Sequence, residues 1–117
     1  MDVKCLCIIY DVVLDSIVKG YLSKTPFLSI ENGDVLQAVD HYDCDIIIIE
    51  YCHNMMHIVA KISEVKSKPF MILSDSKLGL QLKENVIVIP KNISYSKFID
   101  ALSRLMEEYN NSLKIKL

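Results

Sequence analysis

Cys44-Asp45-Ile46-Ile47-Ile48-Ile49-Glu50 is the stretch on which the fold turns. Four consecutive β-branched apolar residues between two acids are far too few for a membrane span, which needs about 20. A half-buried strand would alternate apolar and polar residues; an unbroken run suits a strand covered on both faces, as in a parallel sheet flanked by helices. Comparable runs occur at Cys5 to Ile9, Phe70 to Leu73 and Val86 to Ile89. A fifth, Phe27 to Ile30, is entered after Thr25-Pro26 and left through Glu31-Asn32-Gly33-Asp34, where Asn and Gly favour a turn and Asp34 can cap a helix.

Between these runs lie segments of helical period. Val13, Ile17 and Tyr21 mark one, Val35, Leu36 and Val39 a second, Val59, Ile62 and Val65 a third, and Phe98, Leu102, Leu105 and Tyr109 the last. Between Leu73 and Val86 there is room for only a short helix of about two turns or fewer. Ser94 is placed to cap the last helix, which is expected to fade near Asn110-Asn111. Leu113-Lys114-Ile115-Lys116-Leu117 alternates with period two and reads as an exposed strand or the start of something further. Five βα units result, an α/β domain over residues 1–110 with 111–117 as a C-terminal tail or the start of a linker.

The 117 residues suffice for one domain and no more. A hydrophobic share of 51% against 24% charged predicts a large core under a solvated surface, not disorder. Thirteen basic and 15 acidic residues are scattered, net −2, with no basic stripe to neutralise phosphates, so direct nucleic-acid binding is not expected. Met1-Asp2-Val3-Lys4 has no leader character, which predicts a cytoplasmic location. There Cys5, Cys7, Cys44 and Cys52 are expected as free thiols; Cys5 and Cys7, two apart on a strand, share a face and make poor disulfide partners.

The order and spacing of the units resemble the receiver domain of bacterial response regulators, most of all the LytTR type. The likeness spans nearly the whole chain. It is clearest from Lys4-Cys5 through Tyr21-Leu22-Ser23-Lys24-Thr25-Pro26-Phe27-Leu28, and at Lys91-Asn92-Ile93-Ser94 with Phe98 four residues on, where the family reads Lys-Pro-Ile-Ser before an aromatic. The resemblance implies a flavodoxin-like, doubly wound five-stranded parallel sheet of order 2-1-3-4-5, with Ile46 to Ile49 in its centre.

It also implies a phosphoacceptor site, and here the sequence departs. Receivers hold Mg²⁺ with two adjacent acids after the first strand and an Asp after the third, because the ion takes hard oxygen ligands. The match places Ile9 and Tyr10 at the two acids, leaves Asp11 in the next position, and puts Glu50 in place of the Asp. Ser74 and Lys91 match the remaining hydroxyl and Lys positions. Asn92 replaces a Pro whose preceding bond is cis in the family, and a cis bond before a non-proline residue costs about 2.5–4 kcal/mol. Val88 stands where the family's switch aromatic lies. The implied site is therefore vestigial, Glu50, Ser74 and Lys91, beside a degenerate acidic pocket, Ile9, Tyr10 and Asp11, with no metal and no cofactor expected.

Plainer readings stand beside these. Glu50 and Lys91 also read as ordinary strand-end charges, and Asp11 as a helix-start acid. His53 and His57, at i and i+4, would share a helix face and with Cys52 offer zinc ligands, but a fourth ligand is lacking, His41 being the only other histidine, so a solvated face of the third helix beside a buried strand-end Cys52 is preferred. Met55 and Met56 read as core filler. Cys5 and Cys7 resemble phosphocysteine carriers only until Ile9-Tyr10-Asp11-Val12-Val13, which has no Gly or Ser to present amides to an anion; a flavodoxin-type phosphate loop is missing for the same reason.

The reading preferred is a non-catalytic pseudo-receiver working through protein contacts or self-association, joined by analogy to a C-terminal effector domain, DNA-binding in the LytTR type. The alternatives are a working phosphoacceptor using Glu50 or a nearby Asp, and a small-molecule sensor at the carboxyl edge of the sheet.

Overall fold

The computed structural model describes residues 3–25, 28–32, 44–51, 69–75 and 86–115. The second and third helical segments, the short helix after Leu73, Gly33-Asp34, His41, Cys52, His53, Met55, Met56 and His57 lie outside them. Five strands, β1 (Val3–Ile8), β2 (Leu28–Asn32), β3 (Ile46–Glu50), β4 (Phe70–Leu73) and β5 (Val86–Ile89), form one sheet of order β2-β1-β3-β4-β5. Every pairing is parallel. This is the flavodoxin-like order expected from the sequence.

Period two divides the central strands into two faces, and both are buried, as unbroken apolar runs require. Cys5, Cys7, Ile46, Ile48, Met71 and Leu73 join one core cluster. Leu6, Ile8, Ile47, Ile49, Phe70 and Ile72, on the opposite face, are equally inaccessible. The register Cys5↔Ile46 is held from its start by Asp45, whose side chain accepts from the Lys4 N–H at 2.7 Å while its own N–H donates to the Lys4 carbonyl at 2.8 Å.

Two helices are described, α1 (Val12–Leu22) and α2 (Tyr95–Ile115). Asp11 starts α1: its side chain accepts from the Leu14 N–H at 2.9 Å, and Asp15 in the first turn pairs with Lys19 one turn on. The stripe Val13, Ile17, Tyr21 is not the inward one. Leu14, Val18 and Leu22 are buried, whereas Val13 and Ile17 are exposed and Tyr21 lies half-buried at the boundary. Two apolar i, i+4 stripes run side by side on α1, about 100° apart at 3.6 residues per turn, and sequence alone does not say which faces the sheet.

Helix α2 buries Phe98, Ala101, Leu102 and Leu105 on the same cluster. It starts at Ser94, whose carbonyl accepts from the Phe98 N–H at 2.9 Å. It does not stop at Asn110-Asn111 but continues to Ile115, so residues 113–115 are helix and not strand. Extending a formed helix adds one hydrogen bond per residue, and two Asn, with no Pro or Gly, are too weak to end it. The helices meet through Tyr21, which packs at 5.3 Å on both Tyr95 and Phe98 and donates its hydroxyl to the Ile93 carbonyl at 3.2 Å; Lys24 lies over the Tyr95 ring.

Candidate functional site

In an open parallel sheet the crevice lies beyond the carboxyl ends of the strands, where the order reverses. Here that point is between β1 and β3, which are neighbours in the sheet although β2 separates them in the sequence. A cleft of about 570 Å³ opens there. Asp11, Glu50, Asp75, Lys91 and Asn92 supply its polar lining, and Leu14 and Ile17 of α1 its apolar wall.

Glu50 is the last residue of β3 and lies in step with Ile46 and Ile48, so period two directs it to the α1 side of the sheet. Its Oε1 accepts two backbone hydrogen bonds, from the Tyr10 N–H at 2.8 Å and the Asp11 N–H at 2.9 Å. Its Oε2 lies 3.2 Å from the Lys91 Nζ. The residue is only 4% exposed, an environment in which an unpartnered carboxylate would cost several kcal/mol. With both oxygens engaged that cost is offset, and Lys91 keeps part of its surface in solvent.

The other candidates occupy distinct places. Asp11 is the α1 cap. Ile9 packs against the core cluster, and the Tyr10 side chain is 52% exposed, so neither brings a carboxylate to the site. Ser74 is buried just past β4, its N–H donating to the Ile89 carbonyl at 2.9 Å and tying β4 to β5. Sequence reading overlooked Asp75, whose Oδ1 accepts from the Lys91 N–H at 3.1 Å and so helps place the lysine. Its position directly after Ser74, at a strand end, was the available signal. The Tyr10 and Asp11 amides left no signal, because main-chain donors are the same for every non-proline residue.

The receiver's Mg²⁺ does not fit these residues. The cation takes oxygen ligands, but among the described residues the groups directed at Glu50 are two N–H donors and an ammonium, a set that favours an anion. Among the described residues no group of three His, Cys, Asp or Glu is placed to hold a metal ion. Cys5, Cys7 and Cys44 are buried, reduced cysteines, with 3.9 Å between the Cys5 and Cys7 sulfurs. The Cys5 thiol is pushed well above its ordinary pKa by its hydrogen bond with Cys7, then by burial and the neighbouring thiols.

No protein-family model matches the chain, and no curated protein does. Solved structures do resemble it. The signal receiver domain of an HD domain-containing protein from Pseudomonas fluorescens Pf-5 superposes with a TM-score of 0.77 at 18% identity, covering 95% of this chain and 99% of that one. A response regulator receiver domain protein from Bacillus halodurans c-125 gives 0.72 at 12% identity over 88% and 96%. A response regulator receiver protein from Sinorhizobium medicae WSM419 gives 0.69 at 14% identity over 92% and 97%. The chain therefore has the receiver-domain fold.

Proposed function

We propose that the chain is a cytoplasmic pseudo-receiver, a non-catalytic signalling module that acts through protein contacts or self-association and accepts no phosphoryl group. The observation that carries this reading is the engagement of Glu50: its carboxylate is bound by the Tyr10 and Asp11 amides and by Lys91, in the place where a receiver would set its acceptor beside a metal. Phosphoryl transfer relies on cations to neutralise charge on the moving group, and Lys91, already paired, is the one cation among the described residues that line the cleft. Kinship with the LytTR type and a DNA-binding neighbour beyond the C-terminus belong to the same proposal, on the strength of the motif from Lys91 to Phe98. Contacts through α1 are supported by Tyr10, Val12, Val13 and Ile17, apolar or aromatic side chains left exposed beside the cleft. No described helix is long and apolar enough to cross a membrane.

Incubation with Mg²⁺ and acetyl phosphate followed by intact-mass measurement tests the reading. Unmodified protein is expected. A stable gain of one phosphoryl group, lost in Glu50→Gln, would overturn it in favour of a working phosphoacceptor. The cleft favours a second reading, small-molecule sensing, since about 570 Å³ falls in the range of ligand sites; a thermal-shift screen of metabolites that yields no saturable binder removes it.

A further inference from the structure

The groups around Glu50 are those of an anion receptor. Two adjacent N–H groups converge on one carboxylate oxygen at 2.8 and 2.9 Å, an ammonium reaches the other at 3.2 Å, and the carboxylate they hold is 4% exposed. Only the occupant is unusual, because it belongs to the chain itself. We propose that the Tyr10 and Asp11 amides and the Lys91 ammonium form an anion-binding cradle kept filled by the Glu50 carboxylate, and that a small free carboxylate occupies it once that side chain is cut back.

Glu50 is covalently part of β3, hydrogen-bonded to the β1–α1 turn and paired with the turn that precedes α2. It therefore joins three segments at the carboxyl edge with neither metal nor phosphoryl group. Tethering gives the carboxylate a high effective concentration, so free anions do not displace it from the native protein. The nearby acids set the ligand class. Asp11 and Asp75 also line the cleft, their Oδ1 atoms committed to the Leu14 and Lys91 N–H groups. Their negative charge disfavours a dianion more than a monoanion, so acetate or formate should bind better than phosphate.

The proposal rests on the same Glu50 geometry as the pseudo-receiver reading but fails separately from it, since phosphorylation of the native protein would sink that reading and leave the test below intact. Thermal unfolding of native protein, Glu50→Ala and Glu50→Ala/Lys91→Met is compared in sodium acetate, sodium phosphate and sodium chloride at matched ionic strength. For Glu50→Ala, acetate should raise Tm over chloride by about 5–10 °C at ten times its dissociation constant. With four non-hydrogen atoms, acetate should saturate in the millimolar range. The native protein and the double variant should respond to acetate no more than to chloride. An acetate response equal in the native protein, absent in Glu50→Ala, or surpassed by phosphate overturns the proposal. A second measurement does not need the alanine variant to fold: in Glu50→Gln the Tyr10 and Asp11 amide proton resonances should move upfield, as charge-assisted bonds become neutral ones. Unmoved resonances overturn it as well.

Discussion

Glu50 follows four wholly buried isoleucines, and its charge is tolerated there because three donors meet it. The two kinds of donor can be separated by substitution. Glutamine keeps an oxygen for the amides but turns its NH2 toward the Lys91 ammonium, so both the charge and the hydrogen bond of that pair are lost and the part-exposed lysine turns to solvent. Glu50→Gln should cost about 1 kcal/mol, whereas alanine also leaves two inward N–H groups bare, and Glu50→Ala should cost about 2–4 kcal/mol. Urea unfolding measures both, and equal losses would remove the amides from the account. Asp11 stabilises the start of α1, so Asp11→Ala should cost about 1 kcal/mol by the same measurement. Cys5 predicts a pH dependence. Its thiol holds its proton in the fold to well above the pH at which it ionises in the unfolded chain, near 8.5, so the unfolded state binds fewer protons as pH rises. Stability should be fully present below about pH 8.5 and fall above it, and Cys5→Ala should flatten that slope in denaturation curves between about pH 7 and 10.

Elements owe their order to which side chains are enclosed. Ile48 in β3 is fully buried, whereas Val88 in β5 is 38% exposed on an edge strand, although each belongs to an unbroken apolar run. Ile48→Ala should therefore cost about 2–5 kcal/mol and Val88→Ala under about 1 kcal/mol, read from urea midpoints. A similar loss at both positions would contradict the assignment of β5 to an edge. Helix α1 shows the same principle within one element. Val13 and Leu14 are neighbours of similar hydrophobicity, but one lies at the cleft surface and the other in the core, because successive helical residues point about 100° apart.

At the scale of the molecule, the sheet is covered on both faces at β1, β3 and β4 and ends in β2 and β5. Amides of the three inner strands should exchange with solvent only through global unfolding, those of β5 sooner through local opening. Hydrogen exchange followed by NMR checks this, and equal protection of β5 and β3 would contradict it. The site spans the same edge: Tyr10 and Asp11 come 40 and 39 residues before Glu50, and Lys91 follows on the turn after β5, so its integrity depends on the pairing of all the strands between them.

Much of the fold was legible in the chain. Ile46 to Ile49, Phe70 to Leu73 and Val86 to Ile89 announced their strands because apolar runs of four have few other uses in a protein of this charge. What that pattern left open was direction: which stripe of α1 faces inward, and how far α2 runs past Asn110-Asn111, depend on packing and on helix cooperativity, not on the residues one at a time. Strand ends marked Glu50, Ser74 and Lys91 as site candidates through resemblance, and Asp11 as a helix start. That the Glu50 carboxylate meets two main-chain amides and a lysine was decided by tertiary structure alone. Amides carry no residue signature, and groups some 40 positions apart converge only when the parallel sheet sets its register.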